Sequence, residues 1–316
     1  MVRCAPPFAV DPNDTSKRTV WADLAEINYQ DRPERPEIIG YFCDVVRHYT
    51  KLGIAGFRCD AAYKVPKEVW RPLIAAGQKV DPDVLFVAEN LGGMMEEVDA
   101  LRSAGFDYLF NSAKWWDFRQ GWLLEQYERF RSIAPSVAFP ETHDTERLAS
   151  DLAQQGLTAP RDVERRYRNA YLFSAAFSTG VMIPIGYEYG FRRKLHVVDT
   201  RPSFWESPQF DISAYIGEVN QMKASTPVLN EEGPQRAFVL GDGRICGLLR
   251  RAMRGPDWVV TLINTDYGAA ATARLERIDG DVNEGREITP GGRKEKLRNG
   301  TDVTLEPGEV RIFARS

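Results

Sequence analysis

Hydrophobic and polar residues follow one grammar up to about residue 225 and another beyond it. In the first part, short apolar runs rich in β-branched and aromatic residues recur in GIAGFRCD, VLFVAE, YLFNSAK and SVAFPETHD. Such runs predict strands buried on both faces of a parallel sheet. Between them lie segments with apolar residues at helical spacing. PEIIGYFCDVVRHYTKLG predicts a helix that stops at Gly53, and another is predicted from about Pro66 to Gly77. Further helices are predicted in MMEEVDALRSAG, in the Trp-rich WWDFRQGWLLEQYERFRSIA, in RRYRNAYLFSAAFSTG and in DISAYIGEVNQMKAS. From Thr226 onward, runs such as RICGLLRRAM, WVVTLINT and GEVRIFARS alternate with Gly, Asp and Asn turns, which predicts an antiparallel β sandwich. The expected domains are therefore residues 1–225, of α/β class, and residues 226–316, a small β domain whose expected role is to cover the flank of the first.

Three of the buried runs deliver a carboxylate where strand should pass to loop: Asp60, Glu89 and Asp144. Acids distant in sequence converge in this way at the C-terminal face of a β/α barrel. Arg58 and Asp60 are two residues apart and share a face of their strand, so the guanidinium is placed to hold Asp60 ionised. His143 adjoins Asp144, and only a bent strand end would bring both into one pocket. The alternative for each is structural: an Arg-X-Asp ion pair, a helix-capping Glu89, a turn histidine. Trp115, Trp116 and Trp122 are candidates for stacking on a bound ligand or for core packing, and Tyr187 and Glu188 for ligand contact or a structural turn.

These residues carry a family resemblance. GFRCDAAYKVP resembles the nucleophile region of the α-amylase family of glycoside hydrolases, glycoside hydrolase family 13; VLFVAENLGG resembles its acid/base region and FPETHDT its third-carboxylate region. TVWADLAEINYQ resembles the approach to the fourth barrel strand and GVMIPIGYEYG the eighth strand and its turn, all in the family's order. The resemblance implies a partial (β/α)8 barrel comprising strands four to eight. It implies a retaining glycoside hydrolase or transglycosidase acting on α-1,4-glucosidic bonds of α-glucan or maltooligosaccharides. In that reaction Asp60 is the nucleophile, Glu89 the acid and then base, and Asp144 the stabilising carboxylate. Arg58, His143, Tyr63 and Lys64 are the candidate substrate-binding residues. Tyr63 and Lys64 stand where typical α-amylases have Lys and His, so no calcium is expected there; no other metal and no cofactor is expected. AENLGGMMEEVDALRSAGFDYLFNSAKWWDF resembles the corresponding stretch of maltosyltransferases that use maltose 1-phosphate, although those enzymes carry Pro-Asp in place of His143-Asp144. Transfer between maltose 1-phosphate and α-glucan is therefore the runner-up.

Nothing before Trp21 resembles the family's first three strands, and the residues preceding the sandwich fall short of the about 250 that a whole barrel takes. An open parallel sheet leaves edges that invite pairing. The expectation is the C-terminal part of a larger enzyme, with a polypeptide supplying strands one to three as a candidate partner and a catalytically inactive truncated homologue as a third reading. Composition narrows the rest. Lys and Arg number 41 against 45 Asp and Glu, for a net charge of -4, and no basic field exists for nucleic acid. Cys4, Cys43, Cys59 and Cys246 are scattered without disulfide or metal-ligand spacing, which reads as reduced thiols of a cytoplasmic protein. No apolar run of about 20 residues marks a membrane span, and no secretory peptide is read.

Overall fold

The computed structural model describes residues 6–11, 14–22, 24–29, 33–276, 278–280 and 282–315; Cys4, counted above among the reduced thiols, lies outside them. Two elements precede the first predicted helix: Phe8–Asp11 (β1) and Asp14–Val20 (β2) form an antiparallel hairpin. Sequence patterning assigned nothing there. Arg35–Lys51 (α1) then begins with proline in its first turn, where the missing N–H costs nothing, and Gly53 follows it with φ +92.

Beyond α1 the chain repeats a strand-helix unit. Gly56–Cys59 (β3) is followed by Lys67–Gln78 (α2), Leu85–Ala88 (β4) by Met95–Asp99 (α3), and Tyr108–Phe110 (β5) by Trp122–Phe130 (α4). Ser136–Ala138 (β6) leads to Leu148–Gln154 (α5) and Pro160–Phe177 (α6), and Gly180–Val181 (β7) to Ser213–Ala224 (α7). The strands form one parallel sheet in the order β3-β4-β5-β6-β7. Sequential order and parallel direction are those of strands in a β/α barrel, and five lie among the described residues, as the sequence led one to expect.

Two helices are shorter than their patterns. The run MMEEVDALRSAG keeps only one helical turn, because Ser103 takes φ +64 and Gly105 φ +105, and Arg71 fixes that turn by bonding the Ser103 carbonyl at 3.0 Å and hydroxyl at 2.7 Å. After a 3-10 turn at Ala113–Trp115, the Trp-rich run stays non-helical until Trp122 because Phe118 has φ +61 and the Asp117 carboxylate accepts the N–H groups of Arg119 and Gln120. Local side-chain bonds of this kind compete directly with helix formation. Conversely, α6 starts at Pro160, earlier than its apolar periodicity, and α5 carries no strong pattern.

The chain divides into two compact units, residues 1–111 with 129–136, and residues 112–128 with 137–316. The change at 225/226 therefore falls inside the second unit. In the first, Val69, Ile74, Phe86, Val98, Leu101 and Leu109 form the core with Cys43 and Val46 of α1.

In the second unit, the chain after α7 builds Gln235–Leu240 (β8), Ile245–Arg251 (β9), Trp258–Asn264 (β10), Ala271–Arg274 (β11), Glu284–Glu287 (β12), Lys296–Arg298 (β13), Asp302–Leu305 (β14) and Val310–Arg315 (β15). Six of these make an antiparallel sheet in the order β13-β12-β15-β10-β9-β8, and β11 pairs with β14 in a second. Strand periodicity sorts the six-stranded sheet into two buried faces. Leu249, Val260, Leu262 and Phe313 pack with Ala271, Val303 and Leu305 of the second sheet. Leu248, Val259, Ile263 and Ile312 pack with Leu172, Ala176 and Phe177 of α6. The β domain thus covers the flank of α6.

The C-terminal end of α6 is closed by buried cations. Lys223 Nζ donates to the carbonyl oxygens of Ala175 at 3.0 Å, Ser178 at 2.6 Å and Leu229 at 2.5 Å, and Arg250 Nη1 donates to those of Ala176 and Phe177. Cations at a helix C-terminus meet the negative end of its dipole. Burial, with Arg250 beside it, pulls the Lys223 ammonium down to about 7, against the opposing pull of Glu232. The folded state then binds this proton more weakly than the unfolded chain, so stability rises with pH from about 7 toward the ordinary lysine value. Lys223→Met strips three buried carbonyls of their donor and is expected to cost about 3 kcal/mol at pH 7. Urea titrations at pH 6 and pH 9 should find that deficit larger at the higher pH; a deficit that narrows would contradict this account.

Candidate active site

In parallel β3 and β4, Cys59 pairs with Ala88, so the next residues, Asp60 and Glu89, leave adjacent strands side by side. Their environments differ sharply. The Asp60 side chain is 74% exposed and accepts a bond from Arg58 Nη1 at 2.5 Å, the same-face pairing that the i, i+2 spacing predicts. Glu89 is only 7% exposed. Its Oε1 accepts the Leu91 N–H at 2.6 Å and its Oε2 the Ala61 N–H at 3.0 Å. Burial pushes the Glu89 carboxyl above the usual carboxylate range. The two backbone bonds and Arg58 pull the other way, and Asp60 adds to the rise. One carboxylate is thus exposed and ion-paired, and its neighbour is disposed to hold a proton.

Ala61 ties the two together. It has φ +41, in the left-handed region that costs a non-glycine residue about 1 to 2 kcal/mol, and it is in this conformation that its N–H bonds Glu89. Strain of this kind persists where surrounding contacts over-determine it: the Ala62 N–H bonds the Glu89 carbonyl at 2.8 Å, and Trp70 Nε1 bonds the Ala62 carbonyl at 3.0 Å. The raised Glu89 pKa has a consequence for stability. A carboxyl whose folded pKa is raised binds its proton more tightly when folded, so its contribution falls as pH rises from the ordinary value through the raised one. The lead of the wild type over Glu89→Gln should therefore be greatest near pH 4 and shrink toward pH 7, read as thermal midpoints across that range. A lead independent of pH would mean that Glu89 titrates normally.

Tyr63 and Lys64 are engaged within the first unit. Tyr63 is buried, and its ring lies where a Cβ on Gly93 would meet it at 2.8 Å, which explains glycine in the NLGG turn. Burial, aided by Glu89 and Glu97, raises its phenol pKa. Lys64 Nζ stands 2.7 Å from Glu97 Oε1, and the other Glu97 oxygen accepts the Met94 N–H at the start of α3. Asn90 is a further residue that sequence reading passed over: its Oδ1 accepts the Phe110 N–H at 2.8 Å and joins the end of β4 to β5.

His143 and Asp144 belong to the second unit, with His143 Nε2 at 3.4 Å from Asp144 Oδ2 and the Asp144 side chain 69% exposed. The turn that holds them rests on the Asp144 N–H bonding Thr142 Oγ1 at 2.9 Å. Beneath it lies an ion pair that the sequence reading did not single out. Glu141 and Arg147 are paired with side chains 0% and 1% exposed, and Glu141 also accepts the Leu148 N–H at 2.8 Å. Arg147 reaches the carbonyls of Ile185 at 2.7 Å and Arg193 at 3.1 Å. A glutamate ending the apolar run SVAFPE, with an arginine six residues later, is the signal that was available. Of the Trp candidates, Trp116 is buried and Trp122 packs on the core, while Trp115 is 48% exposed beside Phe139. Tyr187 is wholly buried and bonds the Tyr167 carbonyl at 2.7 Å, a structural turn. Among the described residues, no group of three or more His, Cys, Asp and Glu is arranged to hold a metal ion. None of the described helices is long and apolar enough to cross a membrane.

No protein-family model matches the chain. Over 204 residues, 63% of this chain, it is 33% identical to the α-1,4-glucan:maltose-1-phosphate maltosyltransferase of Burkholderia pseudomallei, and the match spans 18% of that protein. It is 28% identical over 194 residues to neopullulanase 2 of Thermoactinomyces vulgaris, a match spanning 56% of this chain and 31% of that protein. The matches thus span under a third of each of these curated relatives. The solved structure of the α-amylase from Geobacillus thermoleovorans complexed with acarbose aligns with a TM-score of 0.69 at 18% identity, covering 99% of this chain and 71% of that one. That likeness shows a common fold. By sequence the chain is thus similar to a maltose-1-phosphate maltosyltransferase and to a neopullulanase, and by fold to an α-amylase.

Proposed function

We propose that the chain carries the catalytic carboxylates of a retaining enzyme acting on α-1,4-glucosidic bonds of maltooligosaccharides or α-glucan, by hydrolysis or transglycosylation. The observation that carries this reading is the pairing of an exposed, Arg58-bound Asp60 with a buried Glu89, whose pKa burial raises, at the ends of adjacent parallel strands. Adjacent strands lie about 4.8 Å apart, close to the roughly 5 to 5.5 Å between carboxyl groups that retention requires. Asp60 attacks the anomeric carbon as the glycosidic C–O bond breaks, and Glu89 gives its proton to the leaving oxygen. Glu89, now a carboxylate, takes a proton from water or a sugar hydroxyl, which displaces Asp60 and restores the starting state. The family resemblance assigns Asp144 the role of stabilising the positive charge that develops on the sugar, and Arg58, His143, Tyr63 and Lys64 the contacts to substrate.

The name of the Burkholderia relative favours a second reading, transfer of maltosyl units between maltose 1-phosphate and α-glucan. The test is to incubate the purified chain with maltooligosaccharides, and separately with maltose 1-phosphate and glycogen, following anomeric products by NMR and released phosphate by colorimetry. Products with retained α configuration support the first reading. Absence of phosphate release at every concentration removes the second. A parallel sample mixed with a polypeptide supplying barrel strands one to three distinguishes a partner-dependent enzyme, active only in the mixture, from an inactive homologue, silent in both.

A further inference from the structure

Within the second unit, a cavity of about 250 Å³ opens between the turn around Lys114, helix α6 and the loops of the β domain. Its wall includes Trp116, Phe118 and Phe173, and its charged lining residues are Lys114 and Arg166. Both cations are partly buried, and among the described residues neither has a hydrogen-bond or ion-pair partner. Arg166 instead lies with its guanidinium 3.2 Å from the centre of the Tyr267 ring, and Lys114 Nζ stands 5.9 Å from the Trp115 ring. A guanidinium stacked on a ring by its face keeps its five N–H donors at its edge. Burial draws the pKa of both groups below the usual range. Asp151 and Glu141 act on Lys114 from a distance, and Glu141 is already paired with Arg147. Two cations withdrawn from water without counter-charge are costly, and most proteins pair such groups. The wall carries a second irregularity: Phe118 has φ +61, a conformation that bulky residues rarely adopt and that collects at binding sites.

We propose that this cavity binds a phosphate group between Lys114 and Arg166, as free phosphate or as part of a phosphorylated sugar whose ring lies against the aromatic wall. Paired cations with directional donors select an oxyanion, and an apolar wall beside a few converging polar groups is the usual make-up of a small-molecule site. The site is separate in residues from Asp60 and Glu89 and is independent of the reaction assigned to them.

Isothermal titration of the chain with inorganic phosphate, glucose 6-phosphate and maltose, at constant ionic strength set with chloride, tests the idea. Saturable binding of the two phosphates is expected, weakened tenfold or more in Lys114→Met and in Arg166→Met and unchanged in Asp60→Asn. Tighter binding of glucose 6-phosphate than of phosphate identifies a sugar phosphate as ligand, whereas equal binding identifies phosphate alone. Because each substitution removes an unpaired, partly buried charge, the ligand-free melting temperature of Lys114→Met should equal or exceed that of the wild type. The proposal is overturned if no phosphate compound binds, or if both Met variants bind as the wild type does while remaining folded.

Discussion

Asp60→Asn is expected to lower turnover of maltooligosaccharides by about 10^4-fold or more while leaving the fold intact. The size follows from the role: without the carboxylate no bond to the anomeric carbon forms, and removing a covalent nucleophile commonly costs several powers of ten. The intact fold follows from the surroundings. The side chain is 74% exposed, and asparagine keeps an oxygen for the bond from Arg58. Exposed changes of this kind fall within about 0.5 kcal/mol in stability. Azide, a small anion able to enter where the carboxylate stood, should restore turnover and give a product of inverted configuration. A loss of less than tenfold, or rescue with retained configuration, would assign the nucleophile elsewhere.

The second large effect concerns stability. Arg147→Met is expected to destabilise the chain by about 3 to 5 kcal/mol at pH 7, the cost of leaving one member of a buried ion pair without the other. Glu141 is 0% exposed and already sits above the usual carboxylate range because of burial, with Arg147 the largest opposing influence. Without Arg147 its pKa climbs further, and the carbonyls of Ile185 and Arg193 lose their donor as well. The sign with pH is set. A carboxyl with a raised folded pKa loses stability as pH rises, so the deficit should be smallest near pH 4 and reach its full size at neutrality. Adding Glu141→Gln to Arg147→Met should recover part of the loss at pH 7, since a neutral amide carries no buried charge. Denaturant titrations of the single and double variants, at both pH values, check the coupling; strictly additive losses would show that the pair is not the source.

How much of this was legible beforehand depended on the range of each interaction. The β/α alternation, the antiparallel sheets after residue 226 and the placement of Asp60 and Glu89 at strand ends are written in apolar periodicity, because which face a residue buries is fixed by its own neighbours in sequence. The Arg58–Asp60 pair was legible for the same reason. The shortened α3, the late start of α4 and the hairpin of β1 and β2 were not, because competing turns and cross-strand partners decide them. The left-handed Ala61, the burial that raises the Glu89 pKa, the Glu141–Arg147 pair and the carbonyl cage around Lys223 were hidden for a deeper reason. A charged residue reads alike in sequence whether it lies in water or beneath a layer of side chains. Its pKa and its contribution to stability are set by burial and by partners brought from distant segments. Sequence alone determined which chemistry-bearing residues the chain has and on which strands they ride; the tertiary structure decided which are ion-paired, which have their pKa shifted by burial and which are strained.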